Sequence, residues 1–196
     1  MTSQFGSALH SVSAALDRLG VPWFIGGSVA SLVHGEIRTT QDVDIVVDLR
    51  QEQVAALVAT LRQEFLVDAE FVLLAVRTGS SCNLVHRDTG MKVDLFLLRQ
   101  RPFSREEMRR RLPFPIEPGF TPNVATAEDC VLTKLEWFAK GGRVSDRQWR
   151  DVQGIVRVQG GSLDLTYLRR WAAELGIDDL LERALRREGP PAATAP

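Results

Sequence analysis

Long hydrophobic runs are missing from this 196-residue chain. No apolar stretch approaches the ~20 residues that a membrane-spanning helix needs, and the N-terminus lacks the basic-then-apolar pattern of a secretory signal. The expectation is a cytoplasmic protein with no membrane segment. Cysteine is scarce as well. Cys82 and Cys130 stand far apart with no metal-ligand spacing, so both are expected to be buried thiols in a reducing compartment. Charge of one sign is also lacking: 24 Lys and Arg stand against 25 Asp and Glu, for a formal net charge of −1. That excludes a global basic field of the kind that announces a nucleic-acid binder, and any polyanion must be met by local clusters.

What is present is the ordinary material of a globular protein, 44% hydrophobic and 25% charged, long enough for a core domain with a helical appendage. Leu9, Val12, Ala15, Leu16 and Leu19 recur at helical spacing, which predicts a helix over 7–19 that Gly20 ends. A short strand is expected over 21–25, entered through Pro22 and broken by Gly26-Gly27. Ser28 can then cap a helix running to His34. A strand over 42–47, an amphipathic helix over 51–64 and a short helix over 67–77 follow. The runs 81–86 and 91–98 flank Arg87-Asp88-Thr89-Gly90, the pattern of an antiparallel hairpin.

After residue 100 the composition changes. Pro102, Pro113, Pro115, Pro118 and Pro122 forbid a long regular helix there. Helices are expected at 127–140, 146–158, 165–175 and 179–187, and a low-complexity, disordered tail at 189–196. The chain therefore divides into a core at 1–100, a Pro-rich linker at 101–125, a helical region at 126–188 and the tail. The expected fold class is α+β: a small mixed β-sheet with flanking helices, followed by a C-terminal helical bundle.

Asp is depleted in strands, so Asp42-Val43-Asp44 among valines and isoleucine calls for a reason. Strand residues two apart share a face, roughly 6.5–7 Å from one another, which lets two carboxylates converge on a divalent ion. Hard oxygen ligands suit Mg²⁺ or Mn²⁺. Alone, the pair reads more readily as solvated edge-strand aspartates. Two further features bear on the choice. Gly26-Gly27-Ser28, between a strand and a helix, would let backbone N–H groups approach an anion, or simply make a capped turn. Asp94, in Lys92-Val93-Asp94-Leu95-Phe96, is a third carboxylate in an apolar strand, costly unless compensated.

The run Phe24-Ile25-Gly26-Gly27-Ser28, then Asp42-Val43-Asp44-Ile45, then Val93-Asp94-Leu95-Phe96, resembles the signature of the DNA polymerase β-like nucleotidyltransferases. That resemblance covers residues 22–98. It implies transfer of a nucleoside monophosphate from an NTP such as ATP to an acceptor hydroxyl, with pyrophosphate leaving. Asp42, Asp44 and Asp94 would be both catalytic and metal-binding, the last as ligand of a second metal or as base. Gly26, Gly27 and Ser28 would cradle phosphates. Arg38, just before the Asp pair, could neutralise phosphate or serve as a surface-loop arginine.

The chain also resembles AbiEii-type nucleotidyltransferases, which include toxins of toxin–antitoxin pairs. Lys134 and Arg150-Asp151 carry that likeness and imply a nucleotide contact for Lys134 and a possible cognate antitoxin as partner. The chain departs from that pattern at Gly154, where an aspartate is expected. The acceptor stays open among a tRNA end, a protein hydroxyl and a small molecule such as an antibiotic. A catalytically silent nucleotide- or partner-binding module on the same fold is the alternative; retention of all three aspartates favours an enzyme. A nucleotide-sugar glycosyltransferase fits the early Gly-Gly-Ser poorly. Trp137, Trp149 and Trp171 are expected in the core, and Arg105, Arg109, Arg110 and Arg111 on a solvated helix face interleaved with Glu106 and Glu107.

Overall fold

Hydrophobic residues alternate with polar ones along two strands, and that alternation fixes which face of the sheet carries chemistry. The computed structural model describes residues 4–35 and 42–191. In chain order it begins α1 (Gln4–Arg18), β1 (Trp23–Ile25), α2 (Gly27–His34), β2 (Asp42–Val47) and α3 (Val54–Leu61). Next come β3 (Phe65–Leu66), α4 (Ala69–Thr78), β4 (Ser81–His86), β5 (Lys92–Leu97) and α5 (Pro102–Arg110). It ends β6 (Leu112–Pro113), β7 (Asn123–Val124), α6 (Ala127–Lys140), α7 (Asp146–Gln159), α8 (Leu165–Leu175) and α9 (Asp178–Leu185). The chain falls into two compact units. One takes residues 1–26 and 40–124, the other 27–39 and 125–196.

The first unit holds the sheet, with strand order β3-β4-β5-β2-β1-β7-β6 among the described residues. The expected hairpin is there, β4 antiparallel to β5. β5 then runs parallel to β2, and β2 antiparallel to β1. On β2, Val43, Ile45 and Val47 are buried while Asp42, Asp44 and Val46 are half-buried; β5 repeats this with Val93, Leu95 and Leu97 against Asp94 and Phe96. The buried side chains join Leu9, Val12 and Leu16 of α1, Leu57 and Leu61 of α3, and Val72 and Ala75 of α4 in one core. Each such aliphatic side chain contributes about 1.5–3 kcal/mol when fully buried.

The stretch expected to be a linker is folded. Pro102 sits at the start of α5, where its missing N–H costs nothing, and β6 and β7 extend the sheet beyond β1. Strands of two residues are too short to leave a period in the sequence, which is why they were invisible there. The 67–77 helix is α4, capped by Asp68 and closed by Gly79 in the left-handed conformation.

The second unit is helical: α2 packs with α6 and α7, and α8 with α9 and α6. Thr126, Ser145 and Asp164 cap α6, α7 and α8. Trp149 and Trp171 are core residues, but Trp137 is 42% exposed, contrary to expectation. Gly35, which ends α2, lies tight against α7. A Cβ there would sit 2.8 Å from the Ser31 carbonyl oxygen, 3.0 Å from the Ile155 nitrogen and 3.2 Å from the Gly154 carbonyl carbon. Backbone meets backbone at this point. Gly35→Ala is expected to lower stability by ~1–3 kcal/mol, the cost of overpacking, read by urea unfolding; an unchanged midpoint would refute this contact.

Candidate active site

Register places the three aspartates together. Asp44 is the direct neighbour of Asp94 across the parallel β2–β5 pair, and Asp42 lies two residues back on the same face. Neighbouring strands run ~4.8 Å apart, so Asp44 and Asp94 are adjacent like charges. On the other flank of Asp94, Asn83 of β4 is its register partner, and its Nδ2 donates to Asp94 Oδ1 at 2.7 Å. Burial, then the charge of Asp44, then that of Asp42 push the Asp94 carboxyl above its ordinary value, against the weaker pull of Asn83 and Lys92.

A raised carboxyl means that the folded state binds the Asp94 proton better than the unfolded chain does. Its contribution to stability is therefore present at low pH and lost as pH rises through the folded-state value. Asp94→Asn is thus expected to melt higher than the parent at neutral pH in a chelating buffer. A lower melting temperature would show that the carboxylates do not repel.

This donor set suits a hard divalent cation: three carboxylates on one half-open face, with a mutual repulsion that a cation would relieve. As they stand, though, no group of three or more His, Cys, Asp and Glu among the described residues is arranged to hold a metal ion. Binding one would require carboxylate rotation toward a common point.

The turn after β1 is built from unlike glycines. The Gly26 N–H donates to the Asp44 carbonyl at 2.9 Å, tying the end of β1 to the carboxylate strand. A Cβ at 26 would make ordinary contact, 3.4 Å from Val46 Cγ2. Gly27 has φ +51°, so glycine is required there. In the helical unit, Gly27 and Ser28 open α2, and Arg147 Nη2 donates to Ser28 Oγ at 2.9 Å. Nothing in the spacing of the sequence had marked Arg147; only the fold of α7 against α2 brings it to this serine. Gly27→Ala is expected to cost ~1–2 kcal/mol through left-handed strain, against a smaller loss for Gly26→Ala, when the two are compared in thermal melts. Equal losses would undo the distinction.

Lys134 stands apart from its expected setting. It is 6% exposed, and its Nζ lies 2.7 Å from Asp151 Oδ2 and donates to Gln148 Oε1 at 3.2 Å. The apolar stretch around it on α6 buries the lysine itself, and a buried ammonium takes the carboxylate that α7 offers. Arg38 lies outside the described residues. Cys82 and Cys130 are buried and form no disulfide, as expected; burial and Asp94 push the Cys82 thiol up to about 11. Arg109 pairs with Glu106 on the solvated side of α5. No helix among the described residues is long and apolar enough to cross a membrane.

The sheet order and the C-terminal helices give the chain a nucleotidyltransferase-like fold. The family model for aminoglycoside-2''-adenylyltransferase matches residues 8–83, a stretch that takes in Gly27, Ser28, Asp42 and Asp44 and stops short of Asp94. An antigenic nucleotidyltransferase-like protein from Paracoccidioides brasiliensis superposes with a TM-score of 0.56 at 17% identity, over 97% of this chain and 96% of its own. The antibiotic-resistance factor ANT(2'')-Ia gives 0.55 at 15% identity, over 96% and 100%. The lincosamide antibiotic adenylyltransferase LnuA gives 0.50 at 12% identity, over 78% and 96%. No curated protein matches the chain by sequence.

Proposed function

We propose that this chain is a Mg²⁺- or Mn²⁺-dependent nucleotidyltransferase that moves a nucleoside monophosphate from an NTP to a hydroxyl of a small molecule of the aminoglycoside or lincosamide kind. The observation that carries the reading is the shared face of Asp42, Asp44 and Asp94, with Asp44 level with Asp94. The partial family match and the adenylyltransferases among the similar folds support ATP as donor and a small molecule as acceptor.

In this reading Asp42 and Asp44 hold the divalent ion, with Asp94 completing the set. When bound, that ion neutralises triphosphate charge and orients the α-phosphate. Asn83 occupies Oδ1 of Asp94 and so orients the carboxylate, leaving Oδ2 to face the acceptor. The raised proton affinity of Asp94 suits it to take the hydroxyl proton as the acceptor oxygen bonds to the α-phosphorus and the bond to pyrophosphate breaks. Gly26, Gly27, Ser28 and Arg38 serve the phosphates. Lys134 braces α6 against α7. A toxin with a cognate antitoxin has no support beyond Lys134 and Arg150-Asp151, and Lys134 pairs with Asp151. A reaction drawing on the NTP pool, with two reduced thiols, suits the cytoplasm.

The test is incubation of the full chain with each α-labelled NTP and Mg²⁺ in the presence of tobramycin, lincomycin or bulk tRNA, followed by separation of the products. Label from ATP on tobramycin or lincomycin, with pyrophosphate released and both lost on chelation, is the expected result. Label on tRNA alone, or transfer to nothing, would refute the acceptor class or the activity, respectively.

A further inference from the structure

We propose that Lys92 is a further substrate contact of the active face, its ammonium meeting the triphosphate laid over Asp42, Asp44 and Asp94. The inference rests on the transfer reaction proposed above and adds a residue to its nucleotide site.

Alternation puts Lys92 on the carboxylate face. Val93, Leu95 and Leu97 of β5 are buried, so Lys92 shares the open face with Asp94, two residues on. Across the parallel β2–β5 pair Lys92 is level with Asp42, as Asp94 is level with Asp44. The open face of these two strands thus carries three carboxylates and one ammonium in two adjacent rows. Neighbours within a row stand ~4.8 Å apart and the rows roughly 6.5–7 Å apart, measured along the backbone. The end of the sheet at which Lys92 stands is a separate observation. β1 runs antiparallel to β2, so it finishes where β2 begins, and its next residue, Gly26, donates its N–H to the Asp44 carbonyl at 2.9 Å. β5 runs parallel to β2 and begins at Lys92. The glycine turn therefore leaves the sheet at the end where Asp42 and Lys92 stand, with the turn on one side of the Asp pair and the lysine on the other.

Exposure favours a substrate contact over a brace for the aspartates. Lys92 is exposed, whereas Asp42, Asp44 and Asp94 are half-buried. Its charge acts on Asp94, yet its ammonium closes on no carboxylate among the described residues. A lysine that served to compensate the aspartates would be held against one of them, as Lys134 is held against Asp151 at 2.7 Å. Lysine carries a compact charge on a flexible four-carbon stem, which leaves it free to follow an incoming anion. The need for such a charge is plain from the chemistry. One divalent ion does not balance three carboxylates and a triphosphate, and cationic side chains aimed at a transferring phosphoryl group stabilise the charge that remains.

The test compares the parent chain with Lys92→Gln and Lys92→Arg, both changes at an exposed position. ATP binding is measured by calorimetry at saturating Mg²⁺ with no acceptor present. Lys92→Gln should bind ATP at least about tenfold more weakly, ~1.4 kcal/mol. Lys92→Arg should stay within about threefold of the parent, since arginine keeps the charge. Equal ATP affinity in the parent and Lys92→Gln would overturn the contact while leaving the transfer reaction standing. Binding of Mn²⁺ alone, followed by electron spin resonance, separates a phosphate contact from a support for the aspartates. Lys92→Gln removes a positive charge beside the carboxylates, so Mn²⁺ should bind as tightly as to the parent or more so. A loss of Mn²⁺ affinity matching the loss for ATP would show that Lys92 holds the aspartates in place, and would overturn the proposal too. In transfer assays Lys92→Gln should raise the KM for ATP, with the KM for lincomycin within about twofold. A change confined to lincomycin would put Lys92 beside the acceptor and equally overturn it. A parent that binds ATP but transfers nothing would refute the reaction, and the binding measurements alone would then decide the contact; a parent that binds no ATP would refute both.

Discussion

Asp44→Asn should lose transfer by about 10²–10³-fold, the scale on which removing one preorganised electrostatic group acts, while its fold becomes no weaker. Asparagine keeps the shape of the side chain on β2 and removes a charge that stands level with Asp94. Two consequences follow with opposite sign. In the proposed mechanism the hard-ligand set loses a carboxylate, so a divalent ion would be held less well and the triphosphate would lose its anchor. At the same time Asp94 loses its nearest like charge, so its carboxyl falls back toward the ordinary range and the folded state is relieved of repulsion. Label transfer should collapse while the melting temperature in chelator stays level or rises. A purely structural aspartate would show the reverse: a lower melting temperature and activity falling only with the folded fraction. A folded variant that keeps more than about a tenth of parent transfer would remove Asp44 from the mechanism.

How far the site was legible in the sequence depended on whether its parts were local. Asp42 and Asp44 share a face because strand side chains alternate, a rule that needs no tertiary information. Asp94 needed one step more, the hairpin around Arg87-Asp88-Thr89-Gly90. That hairpin forms, yet it is the parallel pairing of β5 with β2 that brings Asp94 level with Asp44. Periodicity could not have given that register. Asn83 was passed over because an asparagine in an edge strand carries no signal until its register partner is known. Arg147 was missed for the same reason on a larger scale, since 119 positions separate it from Ser28. Composition misled over 101–125, where prolines forbid a long helix but still allow one short helix and two short strands. The four C-terminal helices, long and strongly amphipathic, were found nearly to the residue.

Lys134 sits in a different setting from the one its neighbours in sequence suggest. A lysine in the apolar run Val131, Leu132, Leu135 reads as a cation held at a rim, but its side chain is 7% exposed and that of Asp151 8%, with 2.7 Å between ammonium and carboxylate. Each charge has left water, and their pairing offsets part of the cost of that transfer. Lys134→Met keeps the stem and deletes the charge, so the buried Asp151 carboxylate loses the ammonium 2.7 Å from it. The expected loss is ~3–5 kcal/mol, or a fall of roughly 6–20 °C in melting temperature for a chain of this size. Lys134→Met combined with Asp151→Leu should regain much of it, because a buried ion pair replaced on both sides by apolar groups is often neutral or better. A lysine whose work is to hold phosphate would behave otherwise: the single change would raise the KM for ATP with little effect on melting, and the second change would recover nothing. Melting curves of the two variants beside ATP titrations separate these cases. A parent-like melting temperature for Lys134→Met together with a weakened ATP affinity would return Lys134 to the nucleotide site.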